Sequence, residues 1–167
     1  NLRIPVDVPI TINEINKIRE IKNYRLEKVL FTMLVIGKYR KLTSISKKES
    51  TSKNYFVSNK ILEHLRFAHV SQKKGESISG ILHELGYMDT IEATDSILLK
   101  YSTTEDDSET FVLVTDIFDI IKFYQPYCEK CGKPLIKTGN HHKMCSDCWK
   151  EKFREINKNN MRKSREN

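Results

Sequence analysis

The chain has 167 residues, 38% of them hydrophobic, with 29 Lys/Arg against 22 Asp/Glu for a formal charge of +7, which suits one medium domain or two small ones. Membrane insertion is not expected, because the longest apolar stretch, residues 29–36, falls far short of the ~20 residues a spanning helix needs and is flanked by charge. Residues 128–167 carry 11 Lys/Arg against 5 Asp/Glu while the preceding part carries 18 against 17, so nearly all the excess charge lies in the tail and favours a phosphate-bearing partner.

Residues 1–10 read as an extended entry in which Pro5 and Pro9 forbid a helix. The first residue is Asn rather than Met, so a further N-terminal piece is expected. Thr11-Ile12-Asn13-Glu14 has the spacing of a capping box, and Ile12, Ile15, Ile18 and Ile21 recur every third residue, which predicts a first helix. A second helix is predicted over 24–39, apolar on most of its circumference through Leu26, Val29, Leu30, Met33, Leu34 and Ile36, and therefore central. The Lys/Ser/Thr-rich residues 40–53 read as loop.

Helices are predicted over 57–67 and 77–85, the second capped by Ser77 or Ser79 and stopped at Gly86. Two strands follow, 96–101 and 110–115, as a hairpin about the polar tip 102–109, and Asp116 is placed to cap a last helix over 117–124. Helices followed by a hairpin give the order of a winged helix-turn-helix. The expected fold class is thus α+β, mostly helical, with a winged-helix-like domain over 1–126 and a small zinc-binding unit over 127–167. In that arrangement 77–85 takes the recognition position, yet it offers only Ser77, Ser79 and His83 and lacks the Arg, Asn and Gln that read bases. The tip carries Glu105, Asp106, Asp107 and Glu109, which repel phosphate and suit a basic protein partner instead. Cations on the domain that suit DNA are Lys47, Lys48, Lys53, Lys60, Lys73 and Lys74.

The strongest motif is the pair Cys128-Glu129-Lys130-Cys131 and Cys145-Ser146-Asp147-Cys148, with no other cysteine in the chain. Four thiolates at this spacing close a tetrahedron around Zn2+, whereas a two-residue gap is awkward for a disulfide. Gly132 supplies the backbone freedom a metal knuckle needs. The expected unit is knuckle, short hairpin, knuckle, helix, a zinc ribbon or treble-clef-like element in which His141 and His142 lie on the hairpin, the alternative being that one of them replaces a cysteine in a three-Cys, one-His set. Four sulfurs leave no open position for water, so the zinc is structural rather than catalytic. The helix after the second knuckle is basic: Lys150, Lys152, Arg154, Lys158, Arg162, Lys163 and Arg165 are the candidate nucleic-acid contacts, with Lys73 and Lys74 from the first domain. Trp149 and Phe153, four apart, are expected to pack this helix on the knuckle, with stacking on bases as a secondary role.

The core helix 26–39, the Leu-x-x-Leu-Gly-aromatic segment 82–87 and the terminal four-cysteine element with its basic helix resemble small proteins of phages and mobile elements from low-GC Gram-positive bacteria. That resemblance implies a mobile-element protein acting in the cytoplasm of a bacterial host, and at residue level it implies only metal binding at Cys128, Cys131, Cys145 and Cys148. Catalysis is not expected: there is no phosphate-binding glycine loop, nucleophile elbow or His-Glu-x-x-His motif, and His64, His69 and His83 read as packing or surface residues. Two functions follow. One is a non-enzymatic, zinc-containing, regulatory nucleic-acid-binding protein with DNA as the expected partner. The other is an adaptor or inhibitor that docks onto a host or defence protein through Glu105, Asp106, Asp107 and Glu109.

Overall fold

Helix α1 (Ile12–Arg19) begins where the capping box places it. The Thr11 hydroxyl accepts the Glu14 N–H at 3.3 Å and the Glu14 carboxylate accepts the Thr11 N–H at 2.8 Å, so two donors that a helix start leaves unpaired are satisfied reciprocally. The structure is a computed structural model that describes residues 6–44, 51–133, 135 and 142–165. It divides into two units, Asn1–Tyr124 and Gln125–Asn167.

In the first unit α2 (Tyr24–Thr43) is the central element. Its start is capped by Asn23, whose side-chain oxygen accepts the Arg25 and Leu26 N–H groups. Val29, Leu30, Phe31, Met33, Leu34 and Val35 are all fully enclosed, as a helix apolar around its circumference requires. Strand β1 (Val8–Thr11) precedes α1, β2 (Asn54–Ser58) follows α2, and the short helices α3 (Ile61–Phe67) and α4 (Ile78–Glu84) come next. Strands β3 (Met88–Ile91), β4 (Ser96–Thr103) and β5 (Thr110–Val114) and a 3-10 turn at Ile120–Phe123 complete the unit. The Ser77 hydroxyl caps α4 by accepting the Gly80 N–H at 3.2 Å, and Gly86, at φ +77°, follows its end. Gly37 lets α2 approach the sheet: a Cβ there would lie 3.3 Å from Leu99 and 3.4 Å from the Phe56 carbonyl oxygen.

Two antiparallel sheets form. One has the order β2-β4-β3, the other pairs β1 with β5. The predicted hairpin of 96–101 with 110–115 is therefore corrected. Both edges of β4 are taken by β2 and β3, so β5 pairs with the entry segment, Val8 opposite Val114 and Ile10 opposite Val112. The hairpin that does form is β3–β4, joined through a 3-10 turn at Glu92–Thr94. The predicted helix over 57–67 loses its first turn to β2, where Tyr55, Phe56 and Val57 favour a pleated strand and Ser58-Asn59 break it. The helix expected over 117–124 shrinks to the 3-10 turn, because Asp116 accepts the Phe118 N–H at 2.9 Å in a local turn instead of opening a helix. Helix α2 runs four residues further than expected, to Thr43, and Lys47 and Lys48 lie outside the described residues.

A buried ion pair ties these pieces together. Lys38 on α2 donates to Glu14 at 2.7 Å and to the Pro9 carbonyl at 2.8 Å, while Ser102 on β4 donates to the other Glu14 oxygen. The Lys38 and Glu14 side chains are only 7% and 1% exposed. Lys38→Met leaves the Glu14 carboxylate enclosed without its cation and is expected to cost about 3–5 kcal/mol. Adding Glu14→Gln, which keeps the cap, should restore part of that loss, and urea-unfolding midpoints of the single and double variants check it.

His64 on α3 supplies a pH test. Its Nε2 lies 2.8 Å from the Ser58 carbonyl and therefore carries the proton there, while burial lowers its pKa from the ordinary 6.5. Below about pH 6.5 the unfolded chain takes up a proton that the folded one resists, so stability should fall as pH drops from there through the folded pKa. His64→Gln should remove this part of the pH dependence in denaturation curves taken between neutral and mildly acidic pH.

Candidate metal centre and basic helix

The second unit has little core of its own: among its described residues only Cys128, Leu135 and Cys148 are buried. Its first knuckle closes through backbone bonds. The Gly132 N–H donates to Cys128 O at 2.9 Å, the Cys128 N–H to Lys133 O at 2.8 Å, and Gly132 sits at φ +69°, where a side chain would be strained. The second knuckle merges into α5 (Ser146–Arg165), whose first turn contains Cys148, with the Trp149 N–H donating to Cys145 O at 2.9 Å. Glu129 N–H to Lys143 O, at 3.0 Å, joins the two knuckles, and Lys130 to Glu151, at 2.9 Å, ties the first to α5.

This framework brings the four sulfurs within 4.8 Å of one another, and all four are free thiols. A Zn–S bond of about 2.3 Å puts tetrahedral sulfurs about 3.8 Å apart, whereas a disulfide needs about 2.05 Å. Cys131 and Cys145 stand 3.6 Å apart, at the chelating distance. The acid–base chemistry of the set agrees. Hydrogen bonding with the Cys145 backbone, followed by the Cys131 and Lys130 backbone, brings the Cys128 thiol down to about 6. Hydrogen bonding with Cys145 first, then burial and the Cys131 and Cys128 sulfurs, pushes Cys148 up to about 12. Four sulfurs this close cannot all ionise on their own, and a cation among them removes the conflict. The residues therefore fit a metal ion. His142 is not part of the cluster, and His141 lies outside the described residues, as does most of the hairpin expected between the knuckles.

The candidate cations Lys150, Lys152, Arg154, Lys158, Arg162, Lys163 and Arg165 all lie on α5 and all are exposed. Lys73 and Lys74 are exposed in the connection between α3 and α4. Arg25 steadies that connection with a bidentate pair to Glu76 at 2.7 and 2.8 Å, which, through the Arg25 hydrogen bonds first, holds the Glu76 carboxyl down to about 2. Lys53 pairs with Glu105 at 2.5 Å, and Lys60 is exposed immediately before α3.

The acidic residues are not a uniform contact surface. Asp106 accepts hydrogen bonds from Thr11, Asn13 and Ser108, and although its burial opposes ionisation, these bonds hold its carboxyl at about 2. Asp106 is thus a clasp on the start of α1, while Asp107 and Glu109 face solvent. The expectation for Trp149 and Phe153 is also corrected. They are 56% and 54% exposed rather than packed on the knuckle, because α5 leaves the knuckle after one turn and projects its later turns into water.

No protein-family model matches the chain, and no curated protein or solved structure does. No helix among the described residues is long and apolar enough to cross a membrane.

Removing the metal should unfold the second unit alone. The chain has a single tryptophan, Trp149, so its emission reports that unit. A chelator, or Cys148→Ser, is expected to shift this emission and open residues 125–165 to protease, while the unfolding midpoint of the first unit stays unchanged. Cobalt loading of the native chain should give tetrahedral thiolate absorption at one ion per chain.

Proposed function

We propose that the chain is a structural-zinc, nucleic-acid-binding protein whose grip on phosphate comes from α5. The observation that carries this reading is the coincidence of two features on one short element: seven exposed cations lie on a helix whose first turn is locked into the four-sulfur cluster. Zinc is the ion of choice for four thiolates, and a filled sphere acts as a staple for a segment with almost no core. In this reading the protein is regulatory, carries out no catalysis, and serves a phage or mobile element in the cytoplasm of its host.

The first unit has a supporting role. The order α2, β2, α3, α4, β3, β4, with strands arranged β2-β4-β3, supports a winged-helix reading, although ten residues separate α3 from α4 where a tight turn is usual. Its β3–β4 connection carries Glu92 and Asp95, and α4 offers no Arg, Asn or Gln, so its hairpin and recognition face are poorly suited to phosphate or base edges. Lys73 and Lys74 are its best-placed phosphate contacts.

Binding of labelled nucleic acid should weaken steeply with salt. Replacing Lys150, Lys152, Arg154 and Lys158 together with Ala should weaken it evenly across sequences and flatten the slope of log K against log salt by about 0.9 for each duplex phosphate that is no longer neutralised. Fluorescence anisotropy at several salt concentrations measures both effects, and an unchanged slope overturns the assignment to α5.

A further inference from the structure

The aromatic rings of α5 are more than half exposed. Trp149 and Phe153 lie one turn apart on the same helical face, with Ile156 following and Lys150 and Lys152 at the sides. At the foot of this stripe is a cleft of about 540 Å³ lined by Glu129, His142, Lys143, Met144, Trp149 and Lys152. Its walls combine one large ring, a thioether and an imidazole with Lys152 and with Lys143, which pairs with the Glu129 carboxylate at 3.6 Å, and its volume is that of a small-ligand site. These are the parts of a nucleotide receptor: flat apolar surface for a base and cations for the phosphate beside it.

We propose that α5 and this cleft bind single-stranded nucleic acid, one base stacking on Trp149 in the cleft and a neighbouring base on Phe153. This rests on the nucleic-acid reading above and narrows its substrate. Residues four apart on a helix are separated by about 6 Å along its axis, nearly twice the 3.4 Å repeat of stacked bases, so the two rings suit an extended, unstacked strand. In a duplex the faces of the bases are covered by their neighbours and the groove offers only edges.

Other occupants fit the same face less well. A membrane interface needs a longer apolar face, and here Asn160 and Lys163 succeed Ile156 along the stripe. A second copy of α5 would bring Lys150 and Lys152 against their own counterparts beside the seam, with no acidic residue at those positions to answer them.

Trp149 makes the test direct, since the tryptophan emission of the zinc-loaded chain comes from this ring alone. The chain is titrated with oligothymidylate, oligouridylate, the duplex of oligothymidylate with oligoadenylate, and phosphatidylserine vesicles, and binding of labelled strands is followed in parallel by anisotropy. The expected result is quenching of Trp149 by a single strand, with tighter binding than to the duplex. Phe153→Ala should weaken single-strand binding by ~5-fold or more, the loss of one stacked base, and leave the salt slope and zinc content unchanged. Adding oligodeoxyuridylate, which shares the base of oligouridylate and the sugar of oligothymidylate, shows whether any preference between the strands lies in the sugar. Salt-sensitive binding without quenching, or equal affinity for strand and duplex, overturns the stacking site while leaving the nucleic-acid reading intact. Failure to bind any nucleic acid at low salt overturns both, and a blue-shifted emission with vesicles in that case assigns the stripe to a lipid surface.

Discussion

Four thiols within 4.8 Å of one another are first of all an electrostatic conflict. One sulfur, Cys128, ionises readily because backbone N–H groups led by that of Cys145 favour its thiolate, and another, Cys148, resists because hydrogen bonding with Cys145 and burial favour its neutral thiol. A divalent cation held among them would resolve this and fix the geometry of both knuckles. The second unit has almost nothing else to hold it: its buried residues number three among those described, and two of them are ligands. An ion held by the four sulfurs would fix the start of α5, and so would anchor the root of a strongly charged, solvated helix of twenty residues.

The first unit is organised by the opposite device, an internal charge pair that is complete without any ion. Glu14 serves α1 as its capping residue and serves the core as the partner of Lys38, with Ser102 and the Thr11 N–H occupying its remaining lone pairs. One carboxylate thus links β1, α1, α2 and β4. Such a pair contributes little net stability after its desolvation, but it penalises any packing in which these four elements are misaligned. Asp106 repeats the arrangement at the surface, clasping the chain between β4 and β5 onto the start of α1. Residues that look like an acidic display in the sequence are in part internal fasteners.

The two units divide the chemistry accordingly. In the first unit the β3–β4 connection is acidic and α4 carries no Arg, Asn or Gln, whereas α5 joins cations to unburied aromatic rings. In the proposed function, charge would supply affinity to any nucleic acid and the rings would favour bases whose faces are free.

The local signals in the sequence were legible where chemistry is decided within a few residues. The capping box at Thr11, the Ser77 cap and the glycine stop after α4 each formed, since each depends on groups three or four positions apart, and the two cysteine pairs, each of that spacing, meet across a short intervening segment. Strand pairing was not legible. Residues 96–101 and 110–115 are adjacent along the chain and alternate well enough to suggest a hairpin, yet β4 is claimed on both sides by β2 and β3, and β5 finds β1 about a hundred residues away. The entry segment with its two prolines gave no cue to a partner, and the role of Glu14 toward Lys38 is invisible until α1 and α2 are packed. The sequence by itself determined the candidate metal ligands, the starts of α1, α2 and α4 and the basic character of the last helix, because spacing and composition suffice for these. Only the tertiary structure decided which carboxylates are fasteners, which strands share edges and which aromatic rings stay in water, because each of these depends on how distant segments compete for the same hydrogen bonds and the same buried surface.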